Sequence, residues 1–151
     1  MAQLFDRMVA FYQRINWPMT AVPDETILSV TYQGDRGQWV FVASVDEPRS
    51  TVTMFARAPL SCPPEKFCDL AEFIERANFG MTHGAWVVDR RDGEIRFRVG
   101  IDMTGLELTD TCLQNMTIYT NLTMDFYLPG LRALLEEGMS PEAAYNLVFS
   151  Q

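Results

Sequence analysis

Leu4, Met8, Phe11 and Ile15 recur at helical spacing over residues 3 to 15, with Asp6, Gln13 and Arg14 elsewhere on the wheel. The pattern predicts an amphipathic first helix. Trp17-Pro18 ends it, because proline disfavours the helical conformation of the residue before it. From Thr26 to Gln33 the period changes to two, with Leu28, Val30 and Tyr32 alternating with Ser29, Thr31 and Gln33. A second strand, Gln38 to Val45, follows the loop Gly34-Asp35-Arg36-Gly37. Pairing Gln33 with Gln38 sets Tyr32 opposite Trp39 and Val30 opposite Phe41, so the large apolar residues share one side of a hairpin. After the turn Asp46 to Ser50, the β-branched run Thr51 to Arg57 predicts a third strand.

Ser61-Cys62-Pro63-Pro64-Glu65 predicts a helix start, since proline is tolerated in the first turn and an acid complements the positive end of the dipole. Phe67, Leu70, Ala71, Ile74 and Ala77 form its apolar stripe, Glu65, Asp69, Glu72 and Glu75 its solvent side, and Gly80 a left-handed cap. Taking Asp92-Gly93 as a two-residue turn pairs Arg91 with Glu94, Arg90 with Ile95, Asp89 with Arg96, Val88 with Phe97 and Trp86 with Val99. One face of this hairpin is then Trp86, Val88, Ile95, Phe97 and Val99, and the other carries cross-strand charge pairs. Beyond Gly105 the helical pattern returns through Leu113, Met116, Thr120, Tyr127, Leu131, Leu134 and Leu135. Pro129 has no N–H for the carbonyl of Asp125, which predicts a kinked helix or two abutting helices. Ser140-Pro141-Glu142 opens a short last helix with Ala143, Ala144, Leu147 and Val148 on its apolar side.

The order α-β-β-β-α-β-β-α(-α) implies an α+β fold, an antiparallel sheet with helices on one face, in a single domain spanning residues 1–151. Composition agrees: 48% hydrophobic and 21% charged residues suit a globular core. The formal charge of −8 repels phosphates and anionic lipid headgroups, which argues against a nucleic-acid or membrane-surface role. No apolar run is long enough to span a membrane and no secretory signal pattern opens the chain, so a cytoplasmic protein is expected. Cys62, Cys68 and Cys112 have no zinc-ligand spacing and are expected as buried or half-buried free thiols.

No Gly-x-Ser-x-Gly, phosphate-binding loop or dinucleotide fingerprint is present, and no cofactor is expected. His83 has no second histidine with which to share a metal and reads as a strand-edge polar residue. Asp89, Asp92 and Glu94 could be drawn as a cation site, but the turn claims Asp92 and arginines face the other two. Arg90, Arg91, Arg96 and Arg98 form the one basic cluster, and their acidic neighbours leave too little charge to track phosphates, so a salt-laced sheet face is expected. The nine methionines and Tyr32, Trp39, Phe41 and Phe55 read mainly as core; any left outside it would form an adaptable apolar binding surface.

The segments Ala77-Asn78-Phe79-Gly80, Trp86-Val87-Val88-Asp89, Asp92 to Arg98, Ile101-Asp102 and Met124 to Gly130, with the Ser-Pro-Glu start of the last helix, resemble the bacterial YbjN family of sensory transduction regulators. The likeness is strongest from Phe67 to Leu147, and most similar is the cyanobacterial branch; before Phe67 only the order of elements agrees. The resemblance implies the fold of type III secretion chaperones, which are small, acidic, usually dimeric and non-enzymatic. It brings no catalytic residues. The function expected is a non-enzymatic protein-binding module, a chaperone-like or regulatory adaptor, holding an extended polypeptide as a homodimer. Candidate partner-binding residues are Tyr32, Trp39, Phe55, Trp86, Arg96 and Arg98. The alternative is a small-molecule or phospho-ligand sensor using Trp86, Arg96 and Arg98.

Overall fold

The computed structural model describes residues 3–151. Helix α1 (Gln3–Arg14) is followed by a two-residue strand β1 (Thr20–Ala21) and three longer ones, β2 (Ile27–Gln33), β3 (Gln38–Asp46) and β4 (Thr51–Ser61). A single 3-10 turn, Pro64–Lys66, leads into α2 (Phe67–Phe79); the hairpin β5 (Ala85–Asp89) and β6 (Glu94–Asp102) comes next, then α3 (Asp110–Glu136) and α4 (Pro141–Phe149). The six strands make one antiparallel sheet in the order β1-β2-β3-β4-β6-β5. Buried residues of β3, β4 and β6 alternate with half-buried or exposed ones, and the buried set (Trp39, Phe41, Ala43; Val52, Met54, Ala56; Ile95, Phe97, Val99) joins the core formed with the helices. The fold is therefore α+β with the helices on one face.

The first hairpin has the expected register, Gln33 opposite Gln38 and Tyr32 opposite Trp39, and the two rings stack at 5.2 Å. The second differs by two residues. Asp89 lies opposite Glu94, Val88 opposite Ile95 and Trp86 opposite Phe97, so Arg90 to Gly93 form a four-residue loop instead of a two-residue turn. The loop is closed by side chains the dipeptide rule ignores: the Asp89 carboxylate accepts from the Arg91 backbone and guanidinium, Asp92 accepts from the Glu94 N–H, and the Gly93 N–H donates to the Asp89 carbonyl. A shift of two preserves the side-chain faces, so the inward row stands while the expected Asp89–Arg96 and Arg91–Glu94 pairs are replaced. Gly93 adopts φ +79°, and a Cβ there would collide with the Cys62 carbonyl oxygen, where the loop packs on the segment after β4.

Four other expectations are corrected. The third strand runs on to Ser61, with an irregular register between Arg57 and Ser61 that accommodates Pro59. Gly80 has φ −90°, so it is no left-handed cap; α2 stops where Asn78 turns to β5, its amide accepting from the Trp86 N–H and donating to the Trp86 carbonyl. Cys68 is exposed, because it sits on the solvent side of the first turn of α2, whereas Cys62 is buried and Cys112 half-buried. Ile15 is exposed, lying beyond the last turn of α1. Residues on either side of Pro129 form one continuous helix, in which Gly130 lets α4 approach; a Cβ on it would lie 2.4 Å from Val148.

Candidate functional site

Cross-strand pairing places two rows of side chains on the sheet face opposite the helices. One row is Ser29, Val42, Phe55, Arg98 and Ala85; the next is Thr31, Val40, Arg57, Arg96 and Val87. Val40, Val42, Phe55 and Val87 are half-buried by their neighbours in the sheet yet stand outside the core cluster, so this face carries an apolar strip with no helix over it. The Arg96 guanidinium lies 4.1 Å from the Phe55 ring centroid, a cation–π contact that fixes both side chains. Arg57 and Arg96 face each other directly, a destabilising placement that Glu94 offsets by contacting both. Arg98 has no ion-pair partner among the described residues. The strip is thus apolar at its centre and locally positive on a protein of net charge −8.

The six candidate residues divide between the two faces. Phe55, Arg96 and Arg98 come together on the open face. Tyr32, Trp39 and Trp86 belong to the helix-covered face: Trp39 and Trp86 are 2% and 1% exposed, and Tyr32 is half-buried over Trp39 and Trp17. Trp86 packs against Phe97 and Tyr127, and its indole N–H has no hydrogen-bond partner among the described residues. It does not converge with Arg96 and Arg98 on one ligand, because alternate strand residues point to opposite faces. Valines 40, 42 and 87 complete the strip. The signal for Val40 and Val42 lies in Trp39 to Ala43, five consecutive apolar residues, and that for Val87 in Trp86-Val87-Val88, since a strand buried on one face alone would alternate.

The helix-covered side has its own polar feature. Thr117, Asn121 and Asp125 succeed one another at intervals of four along α3, and each fastens a different element. The Thr117 hydroxyl lies 2.7 Å from the Tyr12 hydroxyl of α1, Asn121 accepts from the Trp39 indole at 2.9 Å, and Asp125 accepts from the Arg36 N–H at 2.8 Å and its guanidinium at 3.0 Å. These residues hold the sheet and α1 against α3.

The titratable groups are arranged for structure. Burial pushes the Tyr12 phenol far up and the Tyr127 phenol up to about 12, and burial also raises the Cys62 and Cys112 thiols, so none of these is an activated nucleophile at neutral pH. Hydrogen bonds from Arg91 hold the Asp89 carboxyl down at about 2. Asp89, Asp92 and Glu94 are each engaged by the loop or by arginines. His83 is exposed in the bend before β5 with its ring edge-on to Tyr119.

The six-stranded antiparallel sheet with helices packed on one face, entered in the order α-β-β-β-β-α-β-β-α-α, is similar in fold to YbjN and to type III secretion chaperones. Among solved structures the chain is similar to the ExsC–ExsE complex (TM-score 0.62, 15% identity, 84% of this chain and 92% of the other). It is similar as well to YbjN from E. coli, described as a candidate transcription regulator (TM-score 0.62, 8% identity, 80% and 85%). A third is the Yersinia pestis type III secretion chaperone SycH in complex with a stable fragment of YscM2 (TM-score 0.52, 12% identity, 78% and 93%). No known family profile and no curated protein matches the sequence. At these identities the likeness is one of fold and extends to no particular branch.

Proposed function

We propose that this chain is a non-enzymatic protein-binding module, a chaperone-like or regulatory adaptor of the cytoplasm, which seats an extended polypeptide on its open sheet face. The observation that carries the reading is the uncovered strip of Val40, Val42, Phe55 and Val87 edged by Arg57, Arg96 and Arg98. Apolar side chains of a bound segment would lie along the valines and Phe55, and a carboxylate among them would meet Arg98, which has no ion pair among the described residues. The solved complexes of this fold, ExsC with ExsE and SycH with a YscM2 fragment, support a protein partner by analogy of fold. Sheet edges contribute less. Asn78 already occupies the outer side of β5 at Trp86, and β1 covers Leu28 and Ser29 of β2, leaving the outer side of Thr31 to Gln33 open.

We further propose a homodimer. Phe79, Leu122 and Phe149, on α2, α3 and α4, are 94%, 61% and 54% exposed, and Leu122 and Phe149 line one cleft, so a second copy seated there would remove large apolar side chains from water. The test combines solution mass by light scattering with affinity capture from native lysate, comparing the natural chain with Phe55→Asp. Expected are a dimer and a captured protein that the variant loses. A monomer that retains no protein at moderate salt would overturn the reading.

A further inference from the structure

An open cleft of about 1040 Å³ lies between the end of the β5–β6 hairpin and the first half of α3, lined by Gly84, Val99, Ile101, Cys112, Met116 and Tyr119 among others. Its volume is at the upper end of the range for ligand clefts. What distinguishes it is its wall. In β5 the Trp86 N–H and carbonyl both bond outward to Asn78, so in the alternation of an antiparallel ladder Ala85, Val87 and Asp89 direct theirs to β6. Their partners Arg98, Arg96 and Glu94 point back at β5, and Gly100 and Asp102, continuing that phase, present N–H and C=O groups to the same side. The opposite phase faces β4, as the Met103 N–H shows by donating to the Ser50 carbonyl. But β5 begins at Ala85, opposite Arg98. Beyond it the edge of β6 at Gly100 and Asp102 has no strand neighbour among the described residues, although β4 pairs with its other side.

We propose that this cleft accepts a short extended peptide as an added strand, collinear with β5 and antiparallel to β6. Four backbone groups, at Gly100 and Asp102, supply the ladder. Side chains set the sequence. A peptide residue opposite Ile101 turns towards the helix-covered side, where Met116 and Tyr119 line the cleft, and so is apolar. A residue opposite Asp102 emerges on the open face beside that carboxylate and is basic; the one opposite Gly100 is acidic and lies diagonal to Arg98, which has no ion pair among the described residues. The pattern recognised is apolar-basic-apolar-acidic. This inference rests on the reading of the chain as a polypeptide binder but uses a different surface.

The test is an amide-resolved NMR titration with acetyl-Val-Lys-Ile-Glu-amide. Shifts are expected at Gly100, Asp102, Met116 and Tyr119. The charge-swapped peptide acetyl-Val-Glu-Ile-Lys-amide should bind roughly threefold to tenfold more weakly, since two cross-strand charge contacts reverse sign. N-methylation of the Glu, whose N–H points at β6, should abolish binding, whereas N-methylation of the Ile, whose N–H points away, should not. Equal loss from both methylations, or no shifts at Gly100 and Asp102 at millimolar peptide, would overturn the proposal. Shifts confined to Val40, Val42 and Phe55 would also overturn it while leaving the open-face reading intact; a peptide bound in the cleft with no partner on the open face would do the reverse.

Discussion

Replacing Asp125 with alanine tests how the sheet is fastened to the helices. Asp125 is 6% exposed and accepts two hydrogen bonds from Arg36, one from the backbone at 2.8 Å and one from the guanidinium at 3.0 Å. Hydrogen bonds to a charged group contribute about 1.5–3 kcal/mol each. Against them stand the cost of keeping a carboxylate out of water and the 38% exposure of the Arg36 side chain, which water screens and can resolvate. The balance is a loss of about 2–3 kcal/mol for Asp125→Ala. Arg36→Ala removes the guanidinium bond alone and keeps the backbone one, so its cost is about 1 kcal/mol. In a chain of this size 1 kcal/mol corresponds to roughly 2–4 °C in Tm, so Asp125→Ala should melt about 4–12 °C lower. Urea unfolding of the natural chain, both single variants and Asp125→Asn measures this directly, with Asp125→Asn falling between the other two. A loss under about 0.5 kcal/mol for Asp125→Ala, or a larger loss for Arg36→Ala, would refute the view that the buried carboxylate is the anchor of this loop.

Three further outcomes follow from the geometry. Gly93→Ala meets a positive φ and the Cys62 backbone together, so it should cost about 2–3 kcal/mol in urea unfolding, well beyond the strain of φ alone. The Asp89 carboxyl is lowered from 3.8 to about 2, so its contribution to stability is complete above pH 3.8 and is lost as pH falls towards 2; Asp89→Asn should flatten the acid limb of a Tm-against-pH profile, and an unchanged limb would contradict the assignment. Phe55→Ala should leave Tm within a few degrees, because the ring stands outside the core, yet weaken partner capture by about tenfold, equivalent to about 1.4 kcal/mol.

The first hairpin was legible because Tyr32, Trp39, Val30 and Phe41 allow one register that gathers every large side chain on one face. The second was legible only in its faces. A two-residue slip leaves Trp86, Val88, Ile95 and Phe97 inward, and the choice between registers rests on the bonds of Asp89 and Asp92 to the loop backbone, which periodicity does not contain. Strand β1 was invisible: Thr20 and Ala21 are exposed and too few to show a period. For the site, size misled. Tyr32, Trp39 and Trp86 are large and therefore inward, and the open face depends on smaller residues, valines 40, 42 and 87, chosen by parity. The polar stripe Thr117, Asn121 and Asp125 carries a signal of its own, since three hydrogen-bonding residues four apart in an apolar helix mark a line of fastening to other elements.

Charge takes on a local meaning in this arrangement. The acids of α2 face solvent, with Glu72 paired to Arg76 and Asp69 near Lys66, while the open sheet face holds Arg57, Arg96 and Arg98 against Glu94. An acidic protein thus offers a positive, apolar strip on the sheet face that the helices leave uncovered. The claim that a polypeptide lies there is tested most directly by placing a photo-crosslinking amino acid at Val42 and, as a control, at the exposed Glu75 of α2, then irradiating in cells. The account predicts a discrete protein adduct from position 42 and none from 75; equal labelling at both positions, or no adduct at 42, would contradict it.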